Sequence, residues 1–242
     1  RMEKQPQPVQ AVIFDIDGTL YDFDTAAEKG MENVVAYAQK QFGVDPPVFK
    51  ATVQQAWDLV DSRYKKHSPC MHDRLLRFQN TLEILKLPIF PHALRMKEIY
   101  WETFYRTIEP EPGIQQVLAA LKQKGIKLGI ASDMLAEVQW RKLEVLKLGS
   151  AFDMIATSEE AGVDKPGWEF LSLCQQKLAC PAEACLFIGD NIDRDVRGPA
   201  AFGMQAAHYL PYAKQRNLWP HQFDSYEACL NGDEIRFGDI VI

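Results

Sequence analysis

The sequence lacks the features that place a chain in a membrane or on a nucleic acid. No apolar run approaches the ~20 residues that a membrane-spanning helix needs, and no run of lysine or arginine forms a basic segment. The formal net charge of the 242 residues is -6 at pH 7. Nucleic acid and anionic membranes are therefore not expected partners, and a small molecule is.

The cysteines show no pattern of pairs. The five cysteines are odd in number and none forms a C-x-x-C motif, which indicates a reducing compartment. The polar N-terminal segment also has no apolar signal-peptide core, so we expect a cytoplasmic protein. The hydrophobic content of 47% is ample for one large domain, or for a core domain that carries an insert.

What the sequence does contain begins with residues 12–20, where a short apolar run meets two carboxylates. The run has the character of a strand buried on both faces, as in the centre of a parallel sheet. Asp15 and Asp17 follow it, and Gly18 allows a sharp turn. Ligands of parallel α/β sheets bind beyond the carboxyl ends of the strands, so both aspartates are candidates for a site.

Residues 22–108 have a different character, with helical periodicity and no run that resembles a buried strand. We predict four helices that form a small bundle. Asp24 or Thr25 is expected to cap the first helix, Pro46 and Pro47 suit the first turn of the second, and the third is expected to follow Asp73.

From Pro112 onward, strands and helices alternate, which is typical of a parallel sheet with crossover helices. Polar residues again follow the predicted strands. They are Ser132 with Asp133, Lys165 in the next loop, and Asp190 with Asp193 and Asp195.

Each of these signals is weak alone, but in this order, each after a buried strand, they resemble the four motifs of the haloacid dehalogenase (HAD) superfamily. The resemblance is to its aspartate-nucleophile phosphatases with a helical cap inserted after the first motif. It implies a Rossmann-like three-layer α/β core with a parallel sheet of order 5-4-1-2-3. Residues 1–21 and 109–242 would form this core, and residues 22–108 the helical-bundle cap.

The resemblance also implies catalytic roles that these residue types can perform. Asp15 would be the nucleophile that forms an aspartyl-phosphate, and Asp17 the general acid and base. Lys165 would supply a fixed positive charge, and Ser132 a hydrogen bond to phosphate. The backbone N–H groups after Asp15, at Ile16 and Asp17, would also bind phosphate.

A magnesium ion is the cofactor that the resemblance implies. A carboxylate that attacks a phosphate dianion meets repulsion of about 4 kcal/mol per charge pair at 4 Å and an effective dielectric constant of 20. Mg²⁺ held by Asp15, the Asp17 carbonyl and Asp190 would offset it, with Asp195 in support behind the ligands. Asp193 is interpreted as a helix N-cap.

Some positions depart from the family pattern or carry only weak signals. Asp133 stands where many relatives have asparagine, which puts a substrate contact there in doubt. His67 and His72 in the cap loop could contact substrate, but exposed loop histidines are common. Arg74 could bind a second anionic group, yet Arg74 and Arg77 are better interpreted as a solvated helix face.

The predicted function is therefore a magnesium-dependent hydrolase of a small phosphomonoester. One alternative is a sugar phosphomutase, which shares the aspartyl-phosphate. Another, of a different class, is a catalytically silent binding or regulatory protein on the same fold. The cap has no motif that selects one phosphorylated substrate, and the sequence does not indicate an oligomeric state.

Overall fold

The computed structural model describes residues 7–64, 68–211 and 218–242. The chain divides into two compact units: Arg1–Asp22 with Glu109–Ile242, and Phe23–Ile108. None of the helices in the described ranges combines the length and the apolar character that a bilayer crossing needs.

Six parallel strands form the sheet of the first unit. They are β1 (Ala11–Phe14), β2 (Lys127–Ser132), β3 (Met154–Thr157), β4 (Cys185–Gly189), β5 (Gln205–Tyr209) and β6 (Gln222–Phe223). Their order across the sheet is β3-β2-β1-β4-β5-β6. Strands β1 to β5 thus have the predicted order 5-4-1-2-3, and β6 extends the sheet beyond β5. The sixth strand was not predicted, because a strand of two residues is too short to show an alternating pattern.

The central strand β1 is buried on both faces. Successive side chains of a strand point to opposite faces, and all four residues of β1 are fully buried. Ala11 and Ile13 join an apolar cluster with residues of a flanking helix, while the Phe14 ring packs near that of Tyr226. The three-layer α/β core is thus confirmed. Its helices are α5 (Ile114–Gln123), α6 (Ala136–Val145), α7 (Ser158–Ala161), α8 (Trp168–Leu178) and α9 (Gly198–Phe202).

The C-terminal residues form a small antiparallel sheet that the sequence did not predict. It consists of β7 (Leu230–Asn231), β8 (Glu234–Phe237) and β9 (Ile240–Val241). Just before it, the buried Tyr226 hydroxyl donates a hydrogen bond of 3.0 Å to the Thr19 carbonyl. This segment therefore supports the loop that follows β1.

The two segments of the first unit meet where the second unit is inserted. The Glu111 N–H donates to the Leu20 carbonyl at 2.8 Å. The Tyr209 hydroxyl donates to Glu111 Oε2 at 2.9 Å. These bonds fix the point at which the chain leaves and re-enters the core.

Among its described residues, the second unit has four α-helices and a short 3-10 helix (Pro69–His72) before the third of them. Their bounds are α1 (Phe23–Phe42), α2 (Pro46–Arg63), α3 (Arg74–Ile84) and α4 (His92–Thr107). Helix α3 follows Asp73 as predicted, and the Asp73 side chain caps it by accepting hydrogen bonds from the Leu75 and Leu76 N–H groups. The prediction that Asp24 or Thr25 caps α1 was wrong, since the helix already begins at Phe23.

The interpretation of Arg74 and Arg77 as a solvated face was also wrong, because both side chains are buried. The Arg74 guanidinium lies 5.2 Å from the centre of the Trp57 ring and 5.3 Å from that of Tyr100. Arg77 pairs with Asp61 at 3.3 Å. Cation–π contacts thus offset part of the cost of burying these charges. His67 lies outside the described residues.

Candidate active site

The polar residues predicted from sequence follow the strands of one parallel sheet. Asp15 follows β1, Ser132 ends β2, Lys165 lies in the loop after β3 and α7, and Asp190 follows β4. Because the carboxyl ends of parallel strands share one edge, the fold brings these residues to the same end of the sheet.

Lys165 forms the centre of this group. Its ammonium lies 2.9 Å from Asp15 Oδ1 and 2.7 Å from Asp195 Oδ1, and all three residues are buried. Burial alone would lower the pKa of Lys165, but the carboxylates of Asp15, Asp195 and Asp133 raise it well above its usual value. The ammonium therefore stays charged at physiological pH.

The carboxylates outnumber the cation that lies among them. Asp15, Asp190 and Asp195 place oxygens within 4.8 Å of one another, and Lys165 is the ammonium in contact with two of them. Burial raises the pKa of Asp15 to about 6, although the charge of Lys165 acts in the opposite direction. Burial of the carboxyl group, with the charges of Asp195 and Asp15, raises the pKa of Asp190 to about 8, although solvent screens part of this effect because the residue is exposed.

This excess of negative charge fits a bound divalent cation. Carboxylate oxygens are the ligands that Mg²⁺ prefers, and a cation at this point would balance charges that otherwise repel one another. Asp15 and Asp190 offer the more accessible oxygens. Both oxygens of Asp195 are already engaged, one by Lys165 and the other by the Asn191 N–H at 3.0 Å.

The Asp17 carboxylate is held by three side chains. The Lys142 ammonium lies 2.7 Å from Oδ1 and 2.9 Å from Oδ2. The Gln139 amide lies 3.3 Å from Oδ2, and the Tyr21 hydroxyl donates to Oδ1. Asp17 is therefore directed by a set of donors separate from those of Asp15.

Ser132 and Asp133 connect β2 to the rest of the site. The Ser132 hydroxyl is buried and lies 2.7 Å from the Gln139 amide nitrogen. Asp133 Oδ1 accepts the Lys165 N–H at 2.8 Å, and Oδ2 lies 3.4 Å from Arg194. Asp133 thus anchors the loop that carries Lys165, a role that its position after β2 did not reveal.

Two glycines are required by the closeness of the acidic side chains. A Cβ at Gly189 would lie 2.4 Å from the Asp195 side chain. Gly18 has a φ of +73°, and a Cβ there would lie 2.5 Å from Asp190 Oδ2. Both positions must therefore lack a Cβ atom for the carboxylates to lie this close to the backbone.

A family model of haloacid dehalogenase-like hydrolases matches residues 9–203. The chain belongs to this family. The match spans the strands β1 to β4 and the site residues from Asp15 to Asp195.

Relatives named as phosphatases match most of this chain. The glyceraldehyde 3-phosphate phosphatase of Methanopyrus kandleri is 29% identical over 216 residues, which make up 89% of this chain and 90% of that protein. The ribulose-1,5-bisphosphate 5-phosphatase of Halopiger xanaduensis is 28% identical over 203 residues, 83% and 84% of the two chains. The prediction of a HAD phosphatase is thereby confirmed.

A solved structure shows the same fold. A HAD-hydrolase of Bacillus subtilis, crystallised with magnesium, superposes with a TM-score of 0.69 at 19% identity, and the alignment covers 92% of this chain and 97% of that one.

One prediction next to the site was wrong. The segment after Asp190 is a short π-helix (Ile192–Arg197), and its N-cap is Asn191, whose side chain accepts from the Asp193 and Arg194 N–H groups. Asp193 is exposed and pairs instead with Arg197 at 3.0 Å. Asparagine and aspartate cap equally well, so residue type could not distinguish the two positions.

Several contacts of the site were missed by sequence reasoning, among them those of Gln139, Lys142 and His208. Gln139 and Lys142 lie on the buried face of α6 beside Val138 and Leu143. The available signal was a pair of polar residues that interrupt an apolar helical stripe. His208 on β5 lies with Nε2 2.8 Å from the Asp190 carbonyl, and burial lowers its pKa. Because a carbonyl only accepts, Nε2 carries the proton of a neutral ring.

Proposed function

We propose that this chain is a magnesium-dependent phosphatase that hydrolyses a small phosphorylated metabolite through an aspartyl-phosphate on Asp15. The observation that carries the proposal is the contact between Asp15 and Lys165, at 2.9 Å, inside a group of carboxylates that needs a further cation. A carboxylate in this setting can attack a phosphate because the charges of both partners are offset.

The first half of the reaction transfers the phosphoryl group to the enzyme. An oxygen of Asp15 forms a bond to phosphorus while the bond from phosphorus to the ester oxygen breaks. Asp17, in its protonated form, gives its proton to the departing oxygen. The Ser132 hydroxyl accepts from the Gln139 amide, so its own proton is directed outward and can be donated to a phosphate oxygen.

The second half returns the enzyme to its starting state. Asp17, now a carboxylate, removes a proton from water, and the water oxygen attacks phosphorus. The bond between phosphorus and Asp15 breaks, inorganic phosphate forms, and Asp17 again holds a proton. The Lys165 ammonium offsets the charge of Asp15 as it is released.

Asp15, Asp190 and the Asp17 carbonyl would hold the magnesium ion, and Asp195 would orient Lys165 beside it. When bound, such an ion neutralises phosphate charge and aligns the phosphoryl group for attack. We further propose that the helical unit of residues 23–108 acts as the cap and supplies substrate selection. The named relatives make triose and pentose phosphates the first substrates to test.

The test is phosphate release from a panel that includes glyceraldehyde 3-phosphate, ribulose bisphosphate, hexose phosphates and an aryl phosphate. We expect release by the wild type with Mg²⁺, none in EDTA, and none by Asp15→Asn with Mg²⁺. Acid-quenched wild type should carry a phosphoryl group on the peptide that contains Asp15. Unchanged circular dichroism of Asp15→Asn provides the folding control.

Two results would contradict the proposal. Full activity of Asp15→Asn would remove the nucleophile, and activity that persists in EDTA would remove the metal. Conversion of a hexose phosphate into its isomer without free phosphate would instead favour the phosphomutase.

A further inference from the structure

The conspicuous feature outside the four motifs is a pair of polar side chains on α6 that face Asp17. Gln139 and Lys142 lie one turn apart and neither is exposed to solvent. Between them they donate to both oxygens of the Asp17 carboxylate. The amide of Gln139 also contacts the Ser132 hydroxyl and the Asp133 carbonyl, the latter at 3.1 Å.

Fold stability does not require this pair. A buried ammonium loses its hydration, and apolar residues of similar volume usually stabilise a core at least as well as a buried ion pair. The neighbours Val138 and Leu143 show that this face of α6 otherwise packs as an apolar stripe. The burial of Lys142, which costs free energy of folding, is therefore explained by its contact with the Asp17 carboxylate.

We propose that Lys142 and Gln139 are positioning residues that fix the Asp17 carboxyl group for proton transfer and couple it to Ser132. This inference rests on the proposed function. A carboxyl group on a short side chain rotates about two bonds, and it transfers a proton efficiently only from one narrow set of orientations. Donors on a rigid helix restrict that rotation.

The arrangement serves both protonation states of Asp17. As a carboxylate, Asp17 accepts two bonds from Lys142, as observed. As an acid, it can keep one of these bonds through its carbonyl oxygen while its hydroxyl group faces the departing oxygen. Gln139 links this group to Ser132, so the phosphate-binding hydroxyl and the proton donor share one support.

The dependence of rate on the leaving group tests the proposal. An alkyl phosphate releases a poor leaving group and needs a positioned acid, whereas p-nitrophenyl phosphate releases a stable phenolate and needs little proton donation. For Lys142→Met we expect kcat/KM on an alkyl phosphate to fall ~10- to 100-fold. On p-nitrophenyl phosphate the same variant should lose about threefold or less, because the acid contributes little there.

The matched control is Arg141→Gln. Arg141 is the adjacent residue on α6, is exposed and pairs with Glu144 at 2.7 Å, so this variant also removes one positive charge from the helix. It should leave both substrates unaffected. Lys142→Arg, which keeps the charge, should recover part of the loss on the alkyl phosphate.

Equal losses on both substrates, or no loss on either, would overturn the inference, because a structural role affects the two alike. If Lys142→Met does not fold, Gln139→Leu decides the question by the same comparison, with a smaller but still unequal loss expected. A wild type that hydrolyses neither substrate would instead contradict the proposed function.

Discussion

The group formed by Asp15, Asp190 and Asp195 makes a quantitative prediction about the metal-free protein. Replacing Asp190 by Asn removes one of three carboxylates that lie within 4.8 Å of one another. At that distance and an effective dielectric constant of 20, each pair of like charges costs about 3 kcal/mol. Solvent screens the exposed Asp190, and its attraction to Lys165 opposes the repulsion from the other carboxylates. The net destabilisation by Asp190 is therefore on the order of 1 kcal/mol.

We therefore expect Asp190→Asn to stabilise the protein in EDTA at pH 8, where ionised Asp190 is repelled by its neighbours, and to weaken metal binding at the proposed site. In a chain of this size, 1 kcal/mol raises Tm by roughly 2–4 °C. If Mg²⁺ binds at the proposed site, the same variant should lose most of the rise in Tm that Mg²⁺ gives the wild type, because it would lack one of the proposed ligands.

The sign of the pH dependence follows from the raised pKa values. The pKa of Asp15 is about 6 and that of Asp190 about 8, both above the usual 3.8. The folded chain thus retains protons that the unfolded chain has already lost, and its free energy of unfolding falls as pH rises from about 4 to about 8. Because Mg²⁺ displaces those protons, its stabilising effect should be larger at pH 8 than at pH 5.5.

Thermal melts in EDTA and in Mg²⁺ at these two pH values provide the assay. Asp193→Asn is the control, since Asp193 is an exposed acid on the same segment and pairs only with Arg197 among the ion pairs described. A lower Tm of Asp190→Asn than of wild type in EDTA at pH 8, or an undiminished response to Mg²⁺, would refute the charge reasoning.

Two further variants test the support of the site. Gly189→Ala should lower both Tm and kcat, because the added Cβ would displace Asp195 from Lys165. The control Gly149→Ala should leave both unchanged, because its Cβ would meet nothing closer than 3.6 Å. Tyr226→Phe should cost about 1–3 kcal/mol in urea unfolding, since the buried Thr19 carbonyl loses its donor; an unchanged midpoint would mean that water replaces the hydroxyl.

The sheet was predictable because its strands are short, apolar and followed by polar residues. In β1 all four side chains are buried, so the sequence shows a continuous apolar run rather than an alternation. Strand β6 has two residues, and no periodicity can be observed over so short a length. The strand order came from the family resemblance.

The charged residues of the site were predictable for a different reason. Asp15 and Asp190 each follow a strand directly, and Lys165 lies in the loop after β3 and α7, so local sequence and fold class together place them at one edge. Lys142 is 125 residues from Asp17 in the chain, and only tertiary packing brings it there. The burial of Arg74 was likewise hidden, because the charge of arginine indicates solvent and its stacking on Trp57 depends on another helix.

The hydrogen bond between Glu111 and Leu20 has a consequence for the inserted segment. It closes the core at the point where Phe23–Ile108 are inserted, so the ends of the insert are held together by the core itself. Any inserted segment whose two ends can come together at this point is compatible with the same core. On the proposed function, exchanging or resizing the insert would change the choice of substrate and leave Asp15 and Lys165 in place.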